Sequence, residues 1–310
     1  MSPWYAKGSN FTKAMIFFQQ LINGISLGSI YALIALGYTM VYGIVLIINF
    51  AHGDILMVGA YVAFFVLGAI GAGPEGMLIA FVASMITCVC FALTIERFAY
   101  RPLRQAPRLN SLITAIAVSL IIQNGARVMP FIGPNPRQFP GPRMFNIQLI
   151  GDLRISNIQL TVIVLSALLM LALNYIVNYT KWGKAMRAVS FDQQAASLMG
   201  ISVNGTIAFT FALGSILAGA GGVLFASAYP QVNPTMGMMP GLKAFIAAVL
   251  GGIGSIPGAM LGGFILGITE ALTRGFISSL YSDAITFSIL IIVLMIKPTG
   301  ILGKKHRVKV

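Results

Sequence analysis

Gly251-Gly252-Ile253-Gly254-Ser255-Ile256-Pro257-Gly258 lies midway along residues 244–269, a run with no Asp, Glu, Lys or Arg. A run of this length and polarity reads as membrane-embedded helix, because the roughly 30 Å hydrocarbon core takes about 20 apolar residues. Four glycines and a proline at its centre interrupt that helix: glycine loosens the backbone, and proline removes an amide donor. The expected product within 241–272 is a pair of short or re-entrant helices that enter and return on the same side.

Outward from this segment, further charge-free stretches occupy 14–53, 55–74, 76–95, 109–126, 155–180, 193–242 and 284–296. The first is too long for one helix and is expected to hold two, breaking near Gly37 or Gly43. The 193–242 stretch opens as an amphipathic piece, spans at about 206–228 and leaves through Tyr229-Pro230 and Asn233-Pro234. The reading is an all-α, polytopic transmembrane bundle of about eight or nine membrane segments. Broken or re-entrant helices are expected near 37–50 and 241–272, and one domain covers 1–310. Helices are required because backbone in lipid must satisfy its own hydrogen bonds, and the short alternating strands of a membrane barrel do not occur.

Composition agrees. Of 310 residues 57% are hydrophobic and 9% charged, against about 25% charged in soluble domains, and the mean hydropathy is +0.89. A soluble enzyme is excluded. Residues 1–13 lack a small-residue cleavage site, and the apolar run behind them outlasts a signal-peptide core, so no cleaved signal is expected. Cys88 and Cys90 point in different directions on one helix and form no staple.

The net charge of +13 resides in islands, which orient membrane spans rather than bind nucleic acid. Residues 96–108 carry four arginines, residues 181–187 three basic side chains, and the tail from Lys297 five. All three are placed on the cytoplasmic side. With 180–205 inside and one span at 206–228, residues 229–240 lie outside, and the tail returns inside only if 241–272 enters and turns back. The loop 127–158 is then external. It carries Arg127, Arg137, Arg143 and Arg154 against Asp152, and prolines 130, 134, 136, 140 and 142 make it a stiff, non-helical platform.

Every acidic residue (Asp54, Glu75, Glu96, Asp152, Asp192, Glu270 and Asp283) stands at the end of an apolar run. No span is expected to hold a central carboxylate, which argues against proton coupling, although a sodium site built from backbone carbonyls stays possible. No phosphate-binding loop or dinucleotide fingerprint is present, so the chain does not hydrolyse ATP by itself, and no metal site is expected. Energy must arrive through a cytoplasmic contact. The candidate is Thr180–Asn204, where Asp192–Met199 suits a short helix and Gly200 suits a left-handed end. Ala195 and Ala196 permit close approach, and Leu198 and Met199 offer an apolar knob; the alternative is a helix resting on lipid headgroups.

Asn49, His52 and Asp54 are candidates for lining a pathway at a broken helix, or else form a helix-end cluster with a local Asp cap. Gly254, Gly258 and Gly262 recur every fourth residue and make a smooth packing face. Gly251, Gly254 and Pro257 become gate candidates if the break moves. Tyr31, Tyr38 and Tyr42 read as interfacial anchors.

Five motifs in order carry a family resemblance. They are Gly37-Tyr38-Thr39-Met40-Val41-Tyr42-Gly43 with Ile48-Asn49-Phe50-Ala51-His52-Gly53-Asp54; Glu96-Arg97-Phe98-Ala99-Tyr100-Arg101-Pro102-Leu103-Arg104; Ala195-Ala196 followed by Gly200-Ile201; Ala247 to Ala259; and Lys297-Pro298-Thr299-Gly300-Ile301-Leu302-Gly303. Over nearly its whole length the chain resembles the permeases of ABC importers for branched-chain amino acids, of the LivH type, in the hydrophobic amino acid uptake family. That resemblance implies a multi-pass subunit of the bacterial cytoplasmic (inner) membrane, paired with a LivM-type permease. Two ATP-binding subunits would hold ATP and Mg, and an extracytoplasmic binding protein would deliver Leu, Ile or Val. The chain itself would be no enzyme and would bind no cofactor directly. Its contact with the ATPase would use Arg187, Asp192, Ala195, Ala196, Leu198 and Gly200. The resemblance says nothing about the loop 127–158; its four arginines are candidates for receiving acidic residues of the binding protein, or else are ordinary solvated arginines. Urea, amides and other neutral amino acids are the alternative cargoes, and a passive small-solute channel is the alternative class.

Overall fold

The computed structural model describes residues 3–45, 49–104, 106–148 and 153–303, the side chains of residues 3–13 and of Arg108 excepted. Asp152, Ile48 and the tail cations Lys304, Lys305, Arg307 and Lys309 lie outside the described residues.

The first helix, α1 (Pro3–Val45), runs through Gly37 and Gly43 without a break, which corrects the expectation of two segments there. No proline occurs between Pro3 and Pro74, so nothing removes a donor from the helical ladder, and the glycines serve close approach instead. The chain leaves helix only after Val45 and resumes as α2 (His52–Ile70). Next comes α3 (Pro74–Ile95), with proline at its first position, where no amide partner is lost. A π turn (Glu96–Tyr100) and a 3-10 turn (Arg101–Leu103) follow, then α4 (Arg108–Val128).

The prolines of the next segment prevent helix, and only short strands form. β1 (Arg137–Gln138) is followed by β2 (Asn146–Gln148), which pairs antiparallel with β3 (Arg154–Ser156). Ser156 and Gln159 make a capping box that opens α5 (Asn157–Tyr179). After it come α6 (Lys181–Phe191), α7 (Gln193–Leu198) and α8 (Val203–Ala228). β4 (Gln231–Val232) pairs antiparallel with β1. The chain ends in α9 (Met238–Gly251), α10 (Ile256–Phe276) and α11 (Ser282–Ile296).

Among the described residues, eight helical stretches are long and apolar enough to cross a membrane, and α9, with 14 residues, is a shorter apolar helix beside them. At 1.5 Å per residue α9 reaches only about 21 Å. The 241–272 segment is thus one short helix and one full-length helix, rather than two short ones. They run antiparallel: Gly251 abuts the Gly258 carbonyl, Gly262 abuts the Ala247 carbonyl, and Lys243 meets Glu270. The chain enters on α9 and returns on α10, as the charge parity demanded.

The long α1 is the hub, packed against α10, α8, α9, α5 and α6. Its seam with α10 is made of small residues: Gly24 faces Ile268, Gly28 faces Phe264, and Gly263 faces Ala32. Lipid tails are as apolar as leucine, so such helices gain stability from close van der Waals contact rather than from leaving water. On α8, Gly222 accommodates the Leu56 carbonyl and Gly219 lies against the Ser84 carbonyl and Cys88. Both cysteines are free. The outer helices α4, α5 and α11 leave most of their apolar surface uncovered.

The connections sort onto two faces. Pairing of β1 with β4, and of the Gln19 side chain with the Arg154 backbone, collects residues 129–148, 153–156 and 229–237 and the first half of α1 on one face. On the other, Arg104 donates to Asn204 at 2.6 Å and Gly43 packs on Gly254. The tail joins this second face. Amides of Ile301 and Leu302 donate at 2.8 Å to the carbonyls of Leu250 and Gly251, satisfying acceptors that the end of α9 would otherwise leave open.

Candidate functional site

Two helix N-termini meet inside the bundle. α2 begins at His52, and the His52 imidazole sits against Gly37 of α1. Gly37 is eight residues short of Val45, so α2 starts roughly 12 Å above the end of α1. α9 begins beside it: a Cβ on Gly53 would come within 2.5 Å of the Gly237 carbonyl and 3.2 Å of the Gly241 Cα. α2 and α9 thus each present the positive end of a helix dipole near this point. Interrupted helices of this kind are where membrane transporters hold charged solutes.

Asp54, in the first turn of α2, is 2% exposed. Its Oδ1 accepts from Gln123 Nε2 of α4 at 2.9 Å, and its Oδ2 has no hydrogen-bond partner among the described residues. A cavity of about 320 Å³ lies in front of it, walled by Tyr38, Phe50, Ser119, Gln123, Gly237 and Gly241 among others. Of the trio expected from sequence, only Asp54 reaches this cavity. Asn49 is buried and accepts from the Tyr100 hydroxyl at 2.7 Å, and His52 packs edge-on against Tyr38, ring centres 4.7 Å apart. Asp54 is not a helix cap either: the residue before α2 is Ala51, which makes no side-chain cap.

Two carboxylates lie buried inside the bundle, although both stand at the ends of charge-free runs in the sequence. Asp54 ends a charge-free run in sequence, yet a broken helix carries it inside the bundle. Glu270 also ended a run, but α10 continues six residues past it, and it is fully buried. It accepts from Lys243 Nζ at 2.8 Å, from the Tyr31 hydroxyl at 2.9 Å and from Arg274. Lys243 also pairs with Asp283 at 2.7 Å. Mutual neutralisation lets these four ionic side chains stay within helices. Sequence reasoning treated them as punctuation between runs; the spacing of Glu270 and Arg274 at i and i+4 was the available signal. A second cavity, about 370 Å³, opens beside Lys243, Arg274, Tyr31 and Tyr229. Tyr31 and Tyr38 are buried and bonded or stacked, not interfacial anchors, and Tyr42 is half-buried.

Gly251, Gly254 and Pro257 lie at the α9–α10 turn, at the far end of α9 from Asp54. Gly252 and Gly254 hold φ of +105° and +89°, Ser255 Oγ accepts from the Gly258 amide, and Pro257 sits in the first turn of α10. Gly254 is therefore part of the turn rather than of a helical glycine face; Gly258 and Gly262 form the contact with α9.

On the same face as that turn, α6 and α7 make a compact hairpin. Asp192 caps α7, its Oδ1 accepting from the amides of Gln194 and Ala195 at 2.8 and 2.9 Å. Gly200 ends the unit at φ +81°. Ala196 faces inward at 4% exposure, whereas Leu198 and Met199 are 88% and 82% exposed. Arg187 donates to the Val177 carbonyl at the end of α5. Near this hairpin Arg104 pairs with Glu96; burial lowers the Arg104 pKa, and the carboxylate opposes that shift.

The four arginines of the other face are spread out. Arg127 ends α4 and donates to Asn124, Arg137 lies in β1, and Arg143 and Arg154 are exposed, their backbones held by Asn157 and Gln19. No cluster of potential metal ligands occurs among the described residues.

The chain has clear relatives. A family model described as branched-chain amino acid transport system / permease component matches residues 20–294. The high-affinity branched-chain amino acid transport system permease protein LivH of Escherichia coli (strain K12) is 44% identical over 307 residues, covering 96% of this chain and 98% of that protein. BraD of Pseudomonas aeruginosa, with the same descriptive name, is 44% identical over 95% of this chain and 98% of its own length. A probable LivH of Methanocaldococcus jannaschii is 31% identical over 87% of this chain and 88% of its own. A multi-pass helical bundle with a full-length match of this strength has one placement: the chain belongs to the family of branched-chain amino acid transport system permease components.

Proposed function

We propose that this chain is one of two permease subunits forming the transmembrane pathway of an ATP-binding-cassette importer for leucine, isoleucine and valine. Its full-length likeness to LivH and BraD carries this reading. The companions are a LivM-type permease, two ATP-binding subunits that hold ATP and Mg, and an extracytoplasmic binding protein, assembled in a bacterial inner membrane. ATP hydrolysis belongs to those subunits, since this chain has no phosphate-binding loop. The α6–α7 hairpin, with its exposed Leu198 and Met199, is the contact through which nucleotide-driven closure moves the helices. The arginines of residues 127–154 guide the binding protein, a role that raises encounter rates and weakens with salt.

The test is uptake by the complete complex in proteoliposomes, using a panel of labelled amino acids and urea. Saturable, ATP-dependent uptake of leucine, isoleucine and valine is expected. Uptake of urea or amides in their place overturns the cargo, and ATP-independent uptake overturns the class.

A further inference from the structure

The geometry points to Asp54 as the anchor for the α-ammonium group of an amino-acid zwitterion, held in the cavity where α2 and α9 begin; this inference rests on the importer reading above. A buried carboxylate oxygen without a donor is costly, because it has lost water and gained nothing in return. Asp54 Oδ2 is buried without a well-formed hydrogen bond, the Ser119 hydroxyl being the polar group beside the carboxylate; Asp54 lines a cavity of about 320 Å³, and among the described residues no Lys or Arg pairs with it. It does not cap α2. Gln123 holds the other oxygen at 2.9 Å.

The rest of the cavity suits the rest of such a molecule. The first turn of α9, through Gly237, Met238 and Gly241, forms the wall facing Asp54, and a helix N-terminus favours a carboxylate. Ile116, Leu120 and Leu242 complete the lining with aliphatic surface for a branched side chain. An acid, a positive dipole end and an apolar wall are thus arranged around one space. The size is adequate too, since small-molecule sites begin at about 300 Å³.

The experiment uses the assembled complex in proteoliposomes. Asp54→Asn keeps the volume and the acceptor for Gln123 but removes the charge. Leucine uptake per assembled complex should fall about tenfold or more, and Asp54→Glu should recover part of it. Wild-type uptake by Asp54→Asn overturns the proposal. Leu120→Cys, on the cavity wall, reads the site with the hydrogen bonds of Asp54 untouched, in a chain whose exposed Cys90 is replaced by serine. A cationic methanethiosulfonate should modify Leu120→Cys about tenfold faster than an anionic one of similar size, and leucine delivered by its binding protein should slow that modification. Equal rates for the two reagents overturn the proposal, including where Asp54→Asn fails to assemble. If the wild-type complex carries no branched-chain amino acid, the importer reading fails separately, and the reagent comparison alone still decides whether the cavity selects cations.

Discussion

Gly37 of α1 and His52 of α2 share one volume: a Cβ added at Gly37 would stand 2.5 Å from His52 Cε1, with the Gly214 carbonyl at 3.1 Å on the other side. This contact sets the depth at which α2 starts, and with it the position of Asp54 two residues later. Gly37→Ala should destabilise the subunit by about 1–3 kcal/mol, the usual cost of overpacking. His52→Ala in the same chain should recover much of the loss. Thermal unfolding of the four variants of this cycle in detergent measures the coupling, and simple additivity would refute it.

The Glu270 network predicts a different pattern. Removing the carboxylate by Glu270→Gln leaves Lys243 and Arg274 without their shared partner and should cost about 3–5 kcal/mol. Tyr31→Phe removes one hydrogen bond to a charged acceptor and should cost about 1.5–3 kcal/mol. The paired change Lys243→Met with Glu270→Leu should be milder than Glu270→Gln, because it leaves no lone buried charge from that pair. Unfolding midpoints of the purified subunit rank the three, and a milder Glu270→Gln would contradict the network.

The tail offers a backbone test. Ile301→Pro deletes the amide that donates to Leu250 and should cost about 1 kcal/mol, the net worth of one such bond. Gly300 holds φ +79° with Gly252 close by. Gly300→Ala should therefore be the more damaging change, although it touches no side chain. Lower yields of folded protein, in that order, are the expected readout.

At the α6–α7 hairpin the exposed residues separate docking from folding. Leu198→Arg should leave insertion and folding intact while cutting transport-coupled ATP hydrolysis by the complex about tenfold or more. Asp192→Ala loses the α7 cap, about 1 kcal/mol, and should act mildly. Ala196→Arg is a poor probe, because Ala196 is buried in its own chain and the change would disturb packing first. Full coupled turnover by Leu198→Arg removes the docking assignment.

Charge reversal at Arg137 and Arg143 together should weaken association with the binding protein at low salt, with the difference shrinking as salt rises. Equal affinity at low ionic strength, by titration calorimetry, would leave these arginines without that role.

Much of the fold was readable because lipid imposes few solutions. Run lengths located most helices, the basic islands sorted the loops, and Gly251–Gly258 marked the turn between α9 and α10. The errors share one cause. Charged residues were taken as helix ends, but Lys243 of α9 pairs with Glu270 of α10, which also holds Arg274, and no linear window shows the partnership between the two helices. Depth was hidden for a related reason: Asp54 ends an apolar run, and only packing against Gly37 reveals that this end lies inside the bundle. Gly37 and Gly43 looked like a break because glycine signals both breaks and tight contacts; the neighbour that fills the space decides between them. The short helix at Gln193–Leu198 was legible from its Asp192 cap and Gly200 stop, whereas the inward face of Ala196 was not.

Because α1 is one uninterrupted rod, it ties the α6–α7 hairpin to the interior of the bundle without an intervening loop. It touches α6 near one end, supplies Tyr38 to the Asp54 cavity, and carries Tyr31 to Glu270 farther along. A tilt imposed at the hairpin would therefore shift both buried ionic centres in a single motion, as a seesaw moves both of its riders.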